Sequence, residues 1–285
     1  MKKQPIIIIG MHRSGTSMLT SFIEEKGVFI GKKKAKVNKE AFFFQKINNW
    51  ILYQLGSTWD SPEAVKYLDD SSLSIITPHV KMLLQSFWSI NFLGLFKFLK
   101  YRGVININEV WGWKDPRTTL TLKVWKHIFP NAKIIHIYRN PIDVAQSLKV
   151  REEKYRIKKK LSFFEKKRIY IMNFHRILFT SSKAINLEEG YNLWKFYVEE
   201  AFKADELFSN TIHIKYEDFL ISPEIVLKNL SHFLEIKTDQ HLISQIASKV
   251  DPNRGYAFKE NISLMKFYNQ IKDDELVKEL GYNNL

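Results

Sequence analysis

The densest chemistry in the chain lies at residues 10 to 17, Gly-Met-His-Arg-Ser-Gly-Thr-Ser. Gly10 and Gly15 allow backbone N–H groups to turn inward, while Ser14, Thr16 and Ser17 add hydroxyl donors where a helix would begin. Together with the positive end of the helix dipole, such a loop is suited to cradling a phosphate-like anion. The spacing G-x-x-x-x-G-T-S matches a P-loop in both glycines and in the final hydroxyl, but Thr16 stands where nucleotide-hydrolysing loops carry lysine. The cation must then come from elsewhere, and Arg13 is available. A plain glycine turn between strand and helix is the alternative; the coincidence of glycines, hydroxyls and arginine favours the cradle.

A second anion site is expected where Arg139 follows an apolar strand and precedes Pro141, with Ser147 two turns farther on. Arginine offers a planar fork to a phosphate and serine a hydroxyl. Taken alone, Arg139 would be an ordinary surface residue; beside the first loop it implies a ligand with two separated anionic groups. Arg254 with Gly255 in the loop DPNRGYAF is a further candidate anion contact. Glu40 sits near a predicted helix start, where its structural role would be a favourable first-turn charge. His12 adjoins the first loop, and His136, in mid-strand, is expected in the core.

These residues need a scaffold. Pro5 to Ile9 reads as a buried strand, residues 14 to 26 as a helix ended by Gly27, and AFFFQKINNWILYQLG as a second helix. Residues 62 to 102 are mostly helical in pattern, with a break expected near Thr77-Pro78. EVWGWKDP (109 to 116) is expected as a short strand, Pro116 to Phe129 as a helix, and NAKIIHIY as a strand leading into a proline-started helix. Residues 160 to 210 are helical in pattern, TIHIKYEDF gives another strand, and two amphipathic helices occupy residues 223 to 249, with a terminal helix at 273 to 280. Strands alternating with helices predict an α/β fold: a three-layer sandwich around a central parallel sheet, with ligands at the carboxyl ends of the strands.

At 285 residues the chain can bury a large core, and no linker or repeat divides it, so a single domain over residues 1–285 is expected. It has no cysteine, which excludes a disulfide framework and any thiolate metal site. The net charge of +14 favours an anionic partner. Much of it is lysine concentrated at residues 149 to 168, read as a solvated helix face, or else as a guide for an acidic acceptor or nucleotide. Nucleic acid is disfavoured, because neither zinc spacing nor an aromatic RNA-binding signature is present. The apolar start is too short for a signal peptide, and FWSINFLGLFKFL (87 to 99) falls short of the roughly 18 to 20 residues of a membrane span. No transmembrane segment is expected. A buried helix is expected there, with an amphipathic face against a membrane or a lipid acceptor as the alternative, and the cytoplasm as the compartment, with a membrane-peripheral location as its variant.

In this pattern the chain resembles the sulfotransferases that use 3′-phosphoadenosine 5′-phosphosulfate (PAPS), in their bacterial-type branch acting on carbohydrates or small molecules. GMHRSGTS at 10 to 17 is similar to the family's 5′-phosphosulfate loop, and YRNPIDVAQS at 138 to 147 to its 3′-phosphate motif. WKDPR at 113 to 117 and YEDFLISPE at 216 to 224 resemble further family motifs, so the likeness runs through residues 5 to 236. The resemblance implies in-line sulfonyl transfer from PAPS, leaving the product nucleotide PAP, with no metal required. It implies that Gly10, Arg13, Ser14, Gly15, Thr16 and Ser17 hold the phosphosulfate and that Arg139 and Ser147 hold the 3′-phosphate. Tyr216 would lie near the adenine, and Arg254 would reach the 3′-phosphate, although the residues around it depart from the family pattern. Lys114 would act on the sulfonyl or bridging oxygen, unless it is a structural lysine paired with Asp115. Glu40 is chosen as the base, with His12 as the rival.

The motifs do not specify the acceptor; carbohydrate and lipid are the candidate classes, and oligomeric state is equally unwritten. Two other functions stay open on sequence. One is a P-loop kinase or NTPase, against which the missing lysine counts. The other is a non-catalytic module binding an anionic glycan or nucleotide.

Overall fold

Ile6–Ile9 (β1) alternate between two cores, as successive strand residues must. In the computed structural model, which describes residues 2–35, 38–158, 180–237 and 239–285, Ile7 and Ile9 join one apolar cluster while Ile6 and Ile8 join the other. β1 can therefore be apolar throughout because both of its faces are covered. It pairs in parallel with Gly112–Lys114 (β2) on one side and with Lys133–Tyr138 (β3) on the other. Thr211–Lys215 (β4) pairs in parallel with β3, giving the order β2-β1-β3-β4. This is the α/β architecture expected from the sequence: helices on both faces of a parallel sheet. The chain leaves β1 for β2 on one flank and then crosses to β3 on the other, so the carboxyl end of β1 is a topological switch point.

The first cluster packs Phe44 of the helix Phe42–Gln54 (α2) flat on Trp113 at 4.0 Å between ring centroids, with Trp111, Trp125 and Phe129 around them. The second packs Leu19, Phe22 and Ile23 of the helix Thr16–Glu25 (α1) against Ile135, Ile137 and Phe219.

Several local expectations are corrected. No break occurs at Pro78: the helix Asp70–Gln85 (α3) runs through it, started by Asp69 accepting from Ser72 N–H at 2.8 Å. An interior proline forfeits a backbone hydrogen bond, but Leu73, Ile76, Val80 and Leu84 of the same helix are buried, and that packing outweighs the loss. The break falls instead at Ser86, before a short turn and the helix Ile90–Tyr101 (α4). Pro116–Thr121 forms a 3-10 turn ahead of the helix Leu122–Ile128 (α5), rather than one continuous helix. A helix at Ile262–Ile271, capped by Asn261, precedes the expected terminal one. Residues 159–179, including part of the basic run and of the helical stretch expected there, lie outside the described residues.

The chain divides into two compact units, Met1–Asn140 with Phe196–Ala257, and Pro141–Lys195 with Phe258–Leu285. The first holds the whole sheet. In the second, the helix Pro141–Lys158 (α6) is tied through Asp143, which accepts from Phe258 N–H at 3.1 Å. Gly190 gives close backbone access to Ala145, and Lys195 pairs with Asp274 at 2.7 Å.

Candidate functional site

The loop between β1 and α1 is built by conformations that side chains rarely adopt. Gly10 and Gly15 have φ of 131° and 94°, and a Cβ at Gly10 would collide with the Ile137 carbonyl oxygen. At Gly15 it would enter the ring of Tyr216. Arg13 is also left-handed, at φ 76°, an arrangement that a bulky residue keeps only where its surroundings impose it. Gly15, the N-cap of α1, has no side-chain cap, and no acidic residue occupies the first turn. The amides at that helix start therefore face no carboxylate of their own helix.

The hydroxyls of the loop differ in their commitments. Ser14 is fully buried, and its Oγ has no hydrogen-bond partner among the described residues. Ser17 Oγ donates to the Asn38 carbonyl at 3.0 Å. Thr16 is buried, and its carbonyl accepts from Thr20 Oγ1 at 2.8 Å. Gly10 N–H donates to Thr119 Oγ1 at 3.1 Å, anchoring the loop to the turn that follows β2.

Glu40 lies just ahead of α2, which starts at Phe42 with Ala41 as N-cap, and is buried at 3% exposure. Cationic groups surround it: Lys114 Nζ at 3.5 Å from Oε1, and Arg117 at 3.6 Å from Oε2. His12 Nδ1 lies 3.7 Å from Oε1, and Gln45 donates to Oε2 at 2.8 Å. Lys114 also donates to the Asn38 carbonyl at 2.8 Å. Burial holds its ammonium below the usual lysine range, opposed by the nearby Glu40 and Asp115 carboxylates. Asp115 is not its close ion-pair partner: it accepts from Arg117 at 2.9 Å and from Asn48 at 2.8 Å. Burial alone would lower the Arg117 pKa, but Asp115 and Glu40 outweigh it and the guanidinium is held above its ordinary value.

Beneath this cluster Asn48 uses its whole amide. Nδ2 donates to Asp115 and Thr118, both at 2.8 Å, and Oδ1 accepts from Thr121 and Trp125, both at 2.9 Å. On the cluster's other side His12 meets the edge of Trp59 at 4.9 Å between centroids, and the Tyr197 hydroxyl donates to the Trp59 carbonyl at 3.0 Å. Burial pushes the Tyr197 phenol upward, so it is neutral and a donor.

The end of β3 forms the second group. Arg139 lies over the ring of Tyr216 at 4.7 Å and donates to the Arg254 carbonyl at 2.6 Å. Its turn is fixed by buried Glu217, which accepts from Asn140 N–H at 2.9 Å and from its side-chain amide at 3.0 Å. Tyr216 thus touches both predicted anion groups, with Gly15 on one side and Arg139 on the other. The Arg254 side chain itself is exposed and pairs with Asp251 at 3.7 Å. Ser147 is half-buried on α6 in the second unit. His136 is a core residue as expected, fully buried with Nδ1 2.8 Å from His213 Nδ1.

The structure gathers Gly10 to Ser17, Arg139, Tyr216 and the Arg254 carbonyl at the strand ends, and it sets Glu40, Lys114 and His12 together. The sequence reading missed Arg117, Asn48 and Glu217. Arg117 stood within the quoted WKDPR, whereas nothing in the sequence connects Asn48 with Asp115.

No curated protein matches the chain at a significant level. Among solved structures, a sulfotransferase from Alicyclobacillus acidocaldarius aligns at 18% identity and TM-score 0.49, covering 100% of this chain and 98% of that one. The sulfotransferase domain from the curacin biosynthetic pathway aligns at 15% identity and TM-score 0.49, covering 95% and 98%. A third, sulfotransferase STF9 from Mycobacterium avium, aligns at 11% identity and TM-score 0.44, covering 96% and 77%. The sequence profile of the Sulfotransferase family matches residues 5–240, which takes in the anion loop, Glu40, the Lys114–Arg117 turn, Arg139 and Tyr216, and the chain belongs to that family.

Proposed function

We propose that the protein transfers a sulfonyl group from PAPS to a hydroxyl or amine of an acceptor. The observation that carries this reading is the buried Ser14 hydroxyl, without a hydrogen-bond partner among the described residues, in a glycine-bounded loop that opens an uncapped helix and bears Thr16 in place of a lysine. A buried hydroxyl without a partner is costly, and an anion seated on the loop would satisfy it. PAPS supplies an activated sulfonyl group joined to a phosphate that leaves intact.

Arg13 and the first amides of α1 would hold the phosphosulfate end. Arg139, levelled by Tyr216 and by the turn that Glu217 fixes, would hold the 3′-phosphate. The acceptor oxygen or nitrogen forms its bond to sulfur as the bond from sulfur to the phosphate oxygen breaks, and the acceptor proton passes to the Glu40 carboxylate. Lys114, beside Glu40, would offset the charge developing on the departing oxygen.

The test is thermal stabilisation by the product nucleotide PAP compared with ATP and magnesium. PAP is expected to raise Tm well above the ATP value in the wild type, and Arg139→Ala to abolish the difference while the fold survives. Equal stabilisation by the two nucleotides in the wild type overturns the donor assignment.

A further inference from the structure

From Ser71 to Arg102 the chain contains no acidic residue but has Lys81, Lys100 and Arg102, together with Lys97, which pairs with Glu109. In a helix that merely packs against a core, the outward face would be polar. Here much of it is apolar. Phe96 is 87% exposed, Phe87 70% and Trp88 65%, with Met82, Leu95 and Leu99 also exposed. The inward residues Leu84, Phe92 and Leu93 are buried, so these outward residues are not needed to complete the core.

The backbone arranges this surface. α3 and the helical segment Phe87–Tyr101 meet at 63°, which presents Phe87 and Trp88 at the bend. Gly94, at φ 72° and ψ 169°, interrupts α4 just before Leu95 and Phe96. An apolar cavity of about 500 Å³ adjoins the bend, lined by Leu83 and Trp88 with Phe42 and Trp50 of α2, and by Lys33 and Lys46. Among the described residues no single helix is long and apolar enough to cross a membrane.

We infer that this face docks on an anionic phospholipid surface. Exposed Phe, Trp and Leu beside Lys and Arg are the composition that settles at the boundary of headgroups and acyl chains. So many exposed large apolar residues gathered on one bent helix pair mark an interaction site. The charge decides among occupants. A second copy meeting this patch about a two-fold axis would bring the same cations against it, whereas an anionic bilayer neutralises them. The bent pair lies along the surface, with the aromatic side chains entering it and Lys81, Lys100 and Arg102 at headgroup level.

The test is co-sedimentation of the full chain with vesicles of phosphatidylcholine alone and of phosphatidylcholine mixed with phosphatidylglycerol. Binding to the mixed vesicles, weakened by salt and by omission of the anionic lipid, is expected. Trp88→Ser with Phe96→Ser lowers the partition coefficient at least about tenfold. Lys81→Gln and Lys100→Gln each lower it about fivefold on the mixed vesicles only. Unchanged Tm values show that these surface variants are folded. The inference is overturned if the wild type does not bind the mixed vesicles or if the variants bind equally. It is also overturned if sedimentation velocity shows that Trp88→Ser with Phe96→Ser only converts a dimer to a monomer, which would give the face to a second copy.

Discussion

Glu40 Oε1 and Lys114 Nζ lie 3.5 Å apart with both side chains buried, and Arg117 approaches the same carboxylate at 3.6 Å. One carboxylate therefore serves two cations. Glu40→Gln takes the only ion-pair carboxylate among the described residues from the buried Lys114 ammonium, while Arg117 keeps Asp115 at 2.9 Å; Lys114→Met leaves Glu40 still paired with Arg117. Glu40→Gln is expected to cost about 3 kcal/mol and Lys114→Met distinctly less, read from urea unfolding. On the proposed reaction Glu40→Gln also lowers turnover by at least about 100-fold while PAP still binds. Full turnover in that variant would move the base to His12.

Gly15 and Tyr216 make a second paired prediction. A methyl at Gly15 must displace the Tyr216 ring, on which Arg139 lies at 4.7 Å. Gly15→Ala is expected to lower stability by about 2–3 kcal/mol and to weaken PAP binding, although Arg139 itself is untouched. Calorimetric titration checks this. Unaltered affinity would show that the Tyr216 ring does not position the arginine.

Asn48 is the polar keystone under the cluster. Asn48→Leu removes two donors and one acceptor that serves two groups, leaving Asp115 and Trp125 with fewer partners in a dry interior. A loss of about 3 kcal/mol is expected, and Asn48→Asp should fare no better, because it would set a second carboxylate against Asp115 at 2.8 Å.

His136 gives a pH dependence. Burial first, and then the neighbouring His213, hold its pKa well below 6.5. The unfolded chain therefore takes up a proton as pH falls below 6.5 while the folded chain does not. Stability is fully present above that pH and declines as the medium becomes more acid, by up to about 1.4 kcal/mol per pH unit from this residue. Unfolding followed between pH 7.5 and 5.5 should show a shallower decline in His136→Gln than in the wild type. Identical slopes would show that His136 takes up its proton alike in both states.

The parallel sheet was legible because β1 and β3 announce themselves: four successive isoleucines and then KIIHIY tolerate only a strand buried on both faces. The anion loop was legible for a local reason, since glycines and hydroxyls must sit at fixed offsets to aim amides at one point. Glu40 could be placed near a helix start, but its pairing with Lys114 is a contact between distant segments that neither neighbourhood encodes. Pro78 misled because local propensity favours a break, whereas the decision belongs to the apolar residues of α3 buried on either side of it. Arg117 was hidden by its neighbours: Lys114 and Asp115 draw the eye in WKDPR, and only the fold shows Arg117 largely covered beside them, between Asp115 and Glu40.

The hydrogen bond from Gly10 N–H to Thr119 has a mechanical counterpart elsewhere at the strand ends. Ala41 N–H donates to the Lys114 carbonyl at 3.2 Å, and the Asn38 carbonyl accepts from both Ser17 and Lys114. Loop, carboxylate and cation are thereby stitched to one another and not only to the sheet beneath. Thermal displacement of any one is shared by the rest, so their separations vary less than their positions. In the proposed displacement, whose reacting atoms must meet in line within about 3–3.5 Å, shared motion would leave the alignment intact and only relative motion would spoil it.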